Sequence, residues 1–343
     1  METVTIKDIA KALNLSTSTV SRALRGSYEI SDDTKKLVLD YAKKVNYTPN
    51  PVALSLRENR SKSIGVIVPE IANNFFSNAI NGIDAIAHER GYHVMIFQSY
   101  ESAEREASNV RHAVARKLDG LIMSLSGETK SFELMEELQK NKFPLVFFDR
   151  VPNSFDCHKV EADNFDGAYK ATAHLITSGR KRIAHVTSPP ILSVTKERLA
   201  GYKAALLDHG LPYDENLVKY FDFDYTYCKE RIAQLIQNEK PDAIFTASDR
   251  LALNAYSAMA ALNMRIPEDI AFIGFTNLKV AHLLNPALTT VSQPAFELGK
   301  NAAEILLNQI ESKDKTATLT FEKKMLPTEL NIRKSSGVFK KEF

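Results

Sequence analysis

From Ser63 to Phe275 the sequence repeats one pattern, a short and mostly apolar run followed by a stretch with helical spacing. The run Ile64-Gly65-Val66-Ile67-Val68 leads to a helical stretch over 79–90, and further runs lie at 93–97, 120–123 and 145–148, with a helix expected over 103–117. A second series places runs at 183–186, 243–246 and 270–275, with helices expected over 197–209 and 250–264. Strands that are apolar throughout are buried on both faces, and joining them through helices implies parallel pairing. About ten such strands divide into two doubly wound lobes, whose ligands bind at the carboxyl ends of the strands, in the cleft between lobes. The piece over 318–333 carries alternating apolar residues and is expected to add an edge strand.

At 343 residues the chain exceeds the size at which one core stops growing, so two or three domains are expected. Apolar residues at 44% and charged residues at 25% exclude a chain that is mostly disordered. The two cysteines, Cys157 and Cys228, are too few for a disulfide framework and lack metal-ligand spacing. The start lacks the basic-then-apolar order of a signal peptide, and no apolar run approaches membrane-spanning length, so a cytoplasmic protein with no membrane partner is expected. The formal net charge of +2 is unevenly placed: residues 1–62 hold 11 basic against 7 acidic residues, and the rest 33 against 35. A basic head on a slightly acidic body is the asymmetry expected when only the head meets a polyanion.

The head reads as three short helices. Ile6, Ile9, Ala10 and Leu13 mark one face of the first, with Thr5 as N-cap and Asp8 three residues on. Asn14-Leu15-Ser16 forms a turn, Ser16 caps a second helix that buries Val20, Ala23 and Leu24, and Ser31 caps a third with the inner stripe Leu37, Val38, Tyr41 and Val45. This is helix-turn-helix spacing, whose second helix enters the major groove of DNA. Thr17, Ser18, Ser21 and Arg22 lie opposite Val20 and Leu24: Arg22 suits a bidentate pair with guanine, and the hydroxyls suit base edges or methyl groups. Thr48-Pro49-Asn50-Pro51 then stops any helix. The following Val52 to Lys62 is too short to be helical alone. It serves either as a plain tether or as a segment that folds on DNA and wedges a Leu into the minor groove.

Head, linker and body together resemble the LacI/GalR family of bacterial transcription regulators over nearly the whole chain. The runs Val4-Thr5-Ile6-Lys7-Asp8-Ile9-Ala10 and Leu15-Ser16-Thr17-Ser18-Thr19-Val20-Ser21-Arg22 are similar to its head signature, and Tyr47-Thr48-Pro49-Asn50-Pro51-Val52-Ala53 to its hinge entry. In the body, Glu197-Arg198-Leu199-Ala200-Gly201-Tyr202, Gly274-Phe275 and Leu288-Thr289-Thr290-Val291-Ser292-Gln293-Pro294 follow family patterns in order. The resemblance implies a homodimeric repressor or regulator of a pseudo-palindromic operator, with a head over 1–46, a hinge over 47–62 and a periplasmic-binding-protein-like sensor core over 63–343. Lobe 1 would span about 63–161 and 293–323, and lobe 2 about 162–292 and 324–343. It also implies base readers at Thr17, Ser18 and Arg22, and backbone contacts from Thr5, Ser16, Ser21, Ser31, Thr34 and Asn50. Ala53 and Leu56 would enter the minor groove.

For the sensor cleft the family pattern implies Phe75, Phe76, Asp149, Arg150, Asp163, Arg198, Tyr225, Ser248, Asp249, Thr276 and Gln293. A guanidinium, carboxylates and an amide facing aromatic rings suit a polyhydroxylated ligand, a sugar or sugar derivative first. Competing structural readings are an ion pair for Arg198, plain core for the Phe pair and a helix cap for Asp249. The chain departs from the family at Thr276-Asn277, where relatives carry two acids, at Ser248-Asp249, and at Asn73-Asn74-Phe75-Phe76. No Gly-rich phosphate loop, zincin pair or nucleophile elbow occurs, so neither an enzyme nor a cofactor or metal site is expected. Lesser alternatives are a catabolite-control-type regulator with a protein corepressor and a transport-type sugar-binding protein.

Overall fold

The computed structural model describes residues 4–47, 60–275, 277–312 and 320–337. The hinge positions Asn50, Ala53 and Leu56, and the cleft position Thr276, lie outside the described residues. The chain forms two compact units, Met1–Ser61 and Lys62–Phe343.

In the first unit, α1 (Ile6–Ala12), α2 (Thr17–Leu24) and α3 (Asp32–Lys44) each begin at a hydroxyl. Thr5, Ser16 and Ser31 are the N-caps, accepting from the backbone N–H of Asp8, Thr19 and Thr34. Each such cap contributes about 0.5–2 kcal/mol. Asp8 returns the favour by accepting from the Thr5 N–H at 2.8 Å, and its bond with the Thr5 hydroxyl holds its carboxyl below the usual range. The core is Ile9, Ala10, Val20, Ala23, Val38 and Ala42. Leu37, expected inside, is 51% exposed. The seam runs through Val38, Tyr41, Ala42 and Val45, and a residue one step before Val38 is turned about 100° away from it.

The second unit holds two six-stranded sheets. The first series is β1 (Ser63–Val68), α4 (Asn74–Glu89), β2 (His93–Gln98), α5 (Ala103–Ala115), β3 (Leu121–Met123), α6 (Glu133–Lys140), β4 (Leu145–Phe148) and β5 (His158–Ala162). The second is α7 (Asn164–Thr177), β6 (Ile183–Thr187), α8 (Ser193–Asp208), β7 (Val218–Tyr220), α9 (Cys228–Glu239), β8 (Ala243–Thr246), α10 (Asp249–Ala261), β9 (Ala271–Phe275) and β10 (Thr289–Ser292). The chain ends with α11 (Ala295–Glu311), β11 (Lys323–Leu326) and β12 (Glu329–Asn331). The sheet orders, β11-β5-β4-β3-β1-β2 and β12-β10-β9-β8-β6-β7, match strand for strand. Every ladder is parallel except β10 with β12.

The carboxyl-terminal piece adds an edge strand to each sheet rather than one strand alone. Lys323–Leu326 pairs with Lys159–Ala162 in the first sheet, so the last crossing falls after Leu326 and not at 323. Beyond β12, Ser335 and Ser336 are buried: the Ser335 hydroxyl donates to the Phe272 carbonyl at 2.6 Å and accepts from the Thr289 N–H at 2.8 Å. Helix α4 begins at Asn74 rather than near Ala79, because the Asn73 side chain caps it by accepting from the Phe75 N–H at 2.8 Å. Helix α8 begins at Ser193 rather than 197, and its N-cap Leu192 offers no side-chain bond, so the sequence carries no capping signal there.

Each lobe contains a helix pair that crosses at backbone distance. A Cβ on Gly299 of α11 would stand 1.9 Å from the Ala79 carbonyl oxygen of α4, and one on Gly82 2.0 Å from that of Phe296. In the other lobe, a Cβ on Gly201 of α8 would stand 2.2 Å from the Phe165 carbonyl oxygen of α7.

Candidate nucleic-acid interface and ligand cleft

On the head, Thr5, Ser16, Thr17, Ser18, Arg22 and Ser31 are exposed, while Ser21 and Thr34 are half-buried. Burying Val20 and Ala23 forces the opposite side of α2 outward, and that side carries the residues expected to read bases. Hydroxyls cluster where helices begin: Ser16 and Ser18 lie 2.7 Å apart, and Ser31 and Thr34 2.9 Å apart. Helix N-termini with exposed N–H groups and hydroxyls suit phosphate oxygens. Arg25 donates from Nε to the Ser21 carbonyl at 2.9 Å, whereas Arg22 pairs with Glu29 at 2.9 Å.

In the core, a cleft of about 210 Å³ opens where the strands of both sheets end. Its lining comes from the segment after β1 (Pro69, Glu70, Asn73, Phe76), the segment after β2 (Tyr100, Glu101), and Arg150 after β4. The second lobe contributes Ser188, Phe223, Tyr225, Ser248 and Arg250. Among the positions implied by the family pattern, Phe76, Arg150, Tyr225 and Ser248 line this space.

The others stand behind it. Phe75 is buried and packs edge-on to Phe76, with ring centroids 5.2 Å apart. Asp149 is buried at φ +58°, an uncommon left-handed conformation for a non-glycine residue, and accepts from Gln293 Nε2 at 3.3 Å. Burial pushes its carboxyl pKa up, against the pull of Arg150 and Arg198. Asp163 caps α7 by accepting from the Asp166 N–H at 2.9 Å. Asp249 is the first residue of α10, not its cap. Ser248 is the cap, and an Asp249 carboxylate oxygen accepts from the Asn277 N–H at 3.1 Å. Arg198 is buried, donating to Asn164 Oδ1 at 2.9 Å and to the Ala247 carbonyl at 2.6 Å, with its guanidinium 3.9 Å from the centre of the Phe275 ring. Burial pulls its pKa down to about 10.

Sequence reasoning missed Glu70, Asn73, Tyr100, Glu101, Ser188, Phe223 and Arg250. Both guanidinium groups of the cleft meet a carboxylate. Arg150 donates to the two Glu101 oxygens at 3.0 and 2.7 Å, and Arg250 pairs with Glu70 of the other lobe. Arg150 also lies 5.1 Å from the Phe223 ring, and Arg250 lies 5.2 Å from the Tyr225 ring. Phe223 presses on the opposite lobe so closely that a Cβ on Gly127 would stand 2.0 Å from it. A second cavity of about 390 Å³ shares Arg150 and is lined mainly by loop residues, Lys130 among them, with Ser193 and Lys196 from the start of α8. The first combines aromatic faces with paired polar groups at strand ends, the arrangement that holds a small ring with several hydroxyls.

Residues 61–326 match the profile described as periplasmic binding proteins and sugar binding domain of LacI family, and residues 5–50 that of bacterial regulatory proteins, lacI family. The chain is similar to the HTH-type transcriptional repressor PurR of Vibrio atlanticus (strain LGP32), 34% identical over 312 residues, covering 90% of this chain and 93% of the relative. Among solved structures it is similar to a transcriptional regulator CelR–cellobiose complex, with TM-score 0.72, 29% identity and coverage of 97% and 99%. The fold also matches the lac repressor dimer bound to operator and the anti-inducer ONPF, with TM-score 0.85, 24% identity and coverage of 98% and 100%. With the family profiles spanning both the helix-turn-helix head and the two-lobed core, this chain belongs to the LacI family of bacterial regulatory proteins.

Proposed function

We infer that the protein is a homodimeric transcriptional repressor that binds a pseudo-palindromic operator and releases or grips it according to a small molecule held in the core cleft. The observation that carries this reading is the joining, in one chain, of a helix-turn-helix with an exposed polar face on α2 and a two-lobed cleft lined by aromatic and paired polar side chains. Two-fold symmetry in the operator would call for two heads, hence a dimer. Acting on operator DNA places the protein in the cytoplasm, and no helix among the described residues is long and apolar enough to cross a membrane.

The ligand class follows from charge as well as shape. Both cleft arginines already meet glutamates, so the site has no surplus positive charge for a phosphorylated ligand. An uncharged polyhydroxylated molecule, a sugar or sugar derivative, can exchange hydrogen bonds with those pairs while Phe76, Phe223 and Tyr225 cover its C–H face. The space of about 210 Å³ is below the usual range for drug-sized ligands, which favours a small one. Cleft occupancy is expected to change operator affinity by a coupling of about 1–3 kcal/mol.

A thermal-shift screen of residues 63–343 against sugars and nucleobases tests the sensor. A saturating uncharged sugar should raise the melting temperature, since a ligand that binds only the folded state stabilises it. A rise with phosphorylated sugars alone would contradict the charge argument. On the DNA side, Arg22→Ala is expected to weaken specific binding by about 1–3 kcal/mol and to relax one base position. An unaltered base preference in a binding-site selection would remove Arg22 from the readout.

A further inference from the structure

We propose that Asn277 is the positioning residue of a lobe crossing: it fixes the main chain at Gln293, so that the Gln293 side chain grips the opposite lobe and the lobes stay in contact. The proposal rests on the reading of the core as a sensor whose lobes move. The parallel ladder between β9 and β10 ends at the pair Phe275–Val291. Two residues farther along both segments, the Asn277 side chain takes the place of a strand. Its Nδ2 donates to the Gln293 carbonyl at 2.7 Å, and its Oδ1 accepts from the Gln293 N–H at 3.0 Å. One of these neighbours can only accept and the other can only donate, so the amide has a single orientation. Asn277 is anchored in turn, its own N–H donating to an Asp249 carboxylate oxygen at 3.1 Å.

Gln293 lies where the chain passes from β10 in the second sheet to α11, which packs in the core of the first lobe. Held by Asn277 on the second lobe, it donates from Nε2 to Asp149 Oδ1 of the first lobe at 3.3 Å. Across the cleft the lobes touch at Phe223 against Gly127 and at Arg250 against Glu70. The other two crossings are tied through backbone: the Asp163 N–H donates to the Leu326 carbonyl at 2.8 Å, and the Thr328 hydroxyl to the Asp163 carbonyl at 3.2 Å. At 293 the tie is a side chain, and its chemistry is exacting. The family resemblance implies an acid at 277. A carboxylate could accept from the Gln293 N–H, but it would face the Gln293 carbonyl without a proton and add charge beside Asp249. The Gln293 carbonyl also accepts from the Ala295 N–H at 2.8 Å, so losing the Asn277 donor unties the crossing without orphaning that oxygen.

The test measures the separation of the lobes in the full chain. Spin labels are placed at Glu104→Cys and Lys229→Cys, exposed positions in the first turns of α5 and α9, which follow the corresponding edge strands β2 and β7. The two native cysteines are buried. Labelled chain is mixed with an excess of unlabelled chain, so that only distances within one chain are read. Each variant is compared with its labelled parent at about pH 7.5 and about pH 5. Asn277→Asp should shift the distribution to longer and broader distances at the higher pH. At the lower pH it should return to the parent's, because a carboxyl set between a carbonyl and Asp249 protonates above the ordinary range and then donates to Gln293 again. Asn277→Ala should stay long at both. The charged groups around this link, Asp249 and Asp149 with Arg150 and Arg198 beyond, titrate in the parent as well, which controls for them. Parental distances for Asn277→Asp at the higher pH, or long distances at both, would overturn the proposal. A lower melting temperature with unaltered distances would also overturn it, leaving Asn277 a residue of the fold alone. The sensor reading fails separately, by the lack of any stabilising sugar in the thermal-shift screen, since the distances are read without one.

Discussion

Arg198→Met is expected to destabilise the core unit by about 3–5 kcal/mol, the usual cost of removing one member of a buried charged set. The volume is kept, but Asn164 Oδ1 and the Ala247 carbonyl lose their donors, and the buried Asp149 loses a neighbouring positive charge. Arg198→Lys restores the charge without the planar fork that meets both acceptors, so it should recover part of the loss. Urea denaturation of residues 63–343 measures both. A loss below about 1 kcal/mol for Arg198→Met would show that this guanidinium is dispensable to the fold and free for ligand work. Methionine would also remove the cation that lies over Phe275.

The second large effect lies at the crossing of α4 and α11. Gly299→Val should cost about 3 kcal/mol or more, because its Cβ would start 1.9 Å from a backbone oxygen that cannot rotate away. For a unit of this size that is about 2–4 °C of melting temperature per kcal/mol. The matching substitution at an unhindered glycine is no control, since Gly91, Gly179 and Gly210 have positive φ and would be strained for a different reason. Gly120→Val is a better comparison. A Cβ there meets the Leu306 side chain at 2.9 Å and the Pro144 carbonyl oxygen at 3.0 Å, so a smaller loss is expected. Equal losses at 299 and 120 would mean that the helices can separate without penalty.

Several parts of the molecule were legible in sequence because one local rule governs them. Thr5, Ser16 and Ser31 announce helix starts through short side chains that reach their own backbone, and the runs at 64–68 and 243–245 are apolar because both faces are covered. Strands β5, β7 and β10 were missed for the opposite reason. His158–Ala162 contains three polar residues, Val218–Tyr220 is only 3 residues long, and β10 buries Thr289 and Thr290. Their polar groups are satisfied by segments far along the chain: the Thr289 hydroxyl donates to the Arg333 carbonyl at 3.0 Å.

The cleft divides in the same way. Phe76, Arg150 and Ser248 lie close to strands that local pattern marks, and they line it together with Tyr225, which only the family resemblance implied. Phe223 follows a strand that pattern did not reveal, and the Glu70–Arg250 and Glu101–Arg150 pairs join positions that only the folded sheets bring together. Arg198 and Asp149 carry the right chemistry yet stand behind the lining, because their charges organise the floor of the cleft. Side-chain type revealed part of the composition of the cleft, and tertiary pairing decided which groups line it.

The most direct test is an equilibrium titration of the full chain, at moderate salt, against a duplex it has selected from a random pool and a scrambled duplex of equal length. A sequence-reading head predicts a preference of about 10³-fold or more, shifted by a sugar that stabilises the core. Equal affinity for both duplexes, with and without such sugars, would contradict the account.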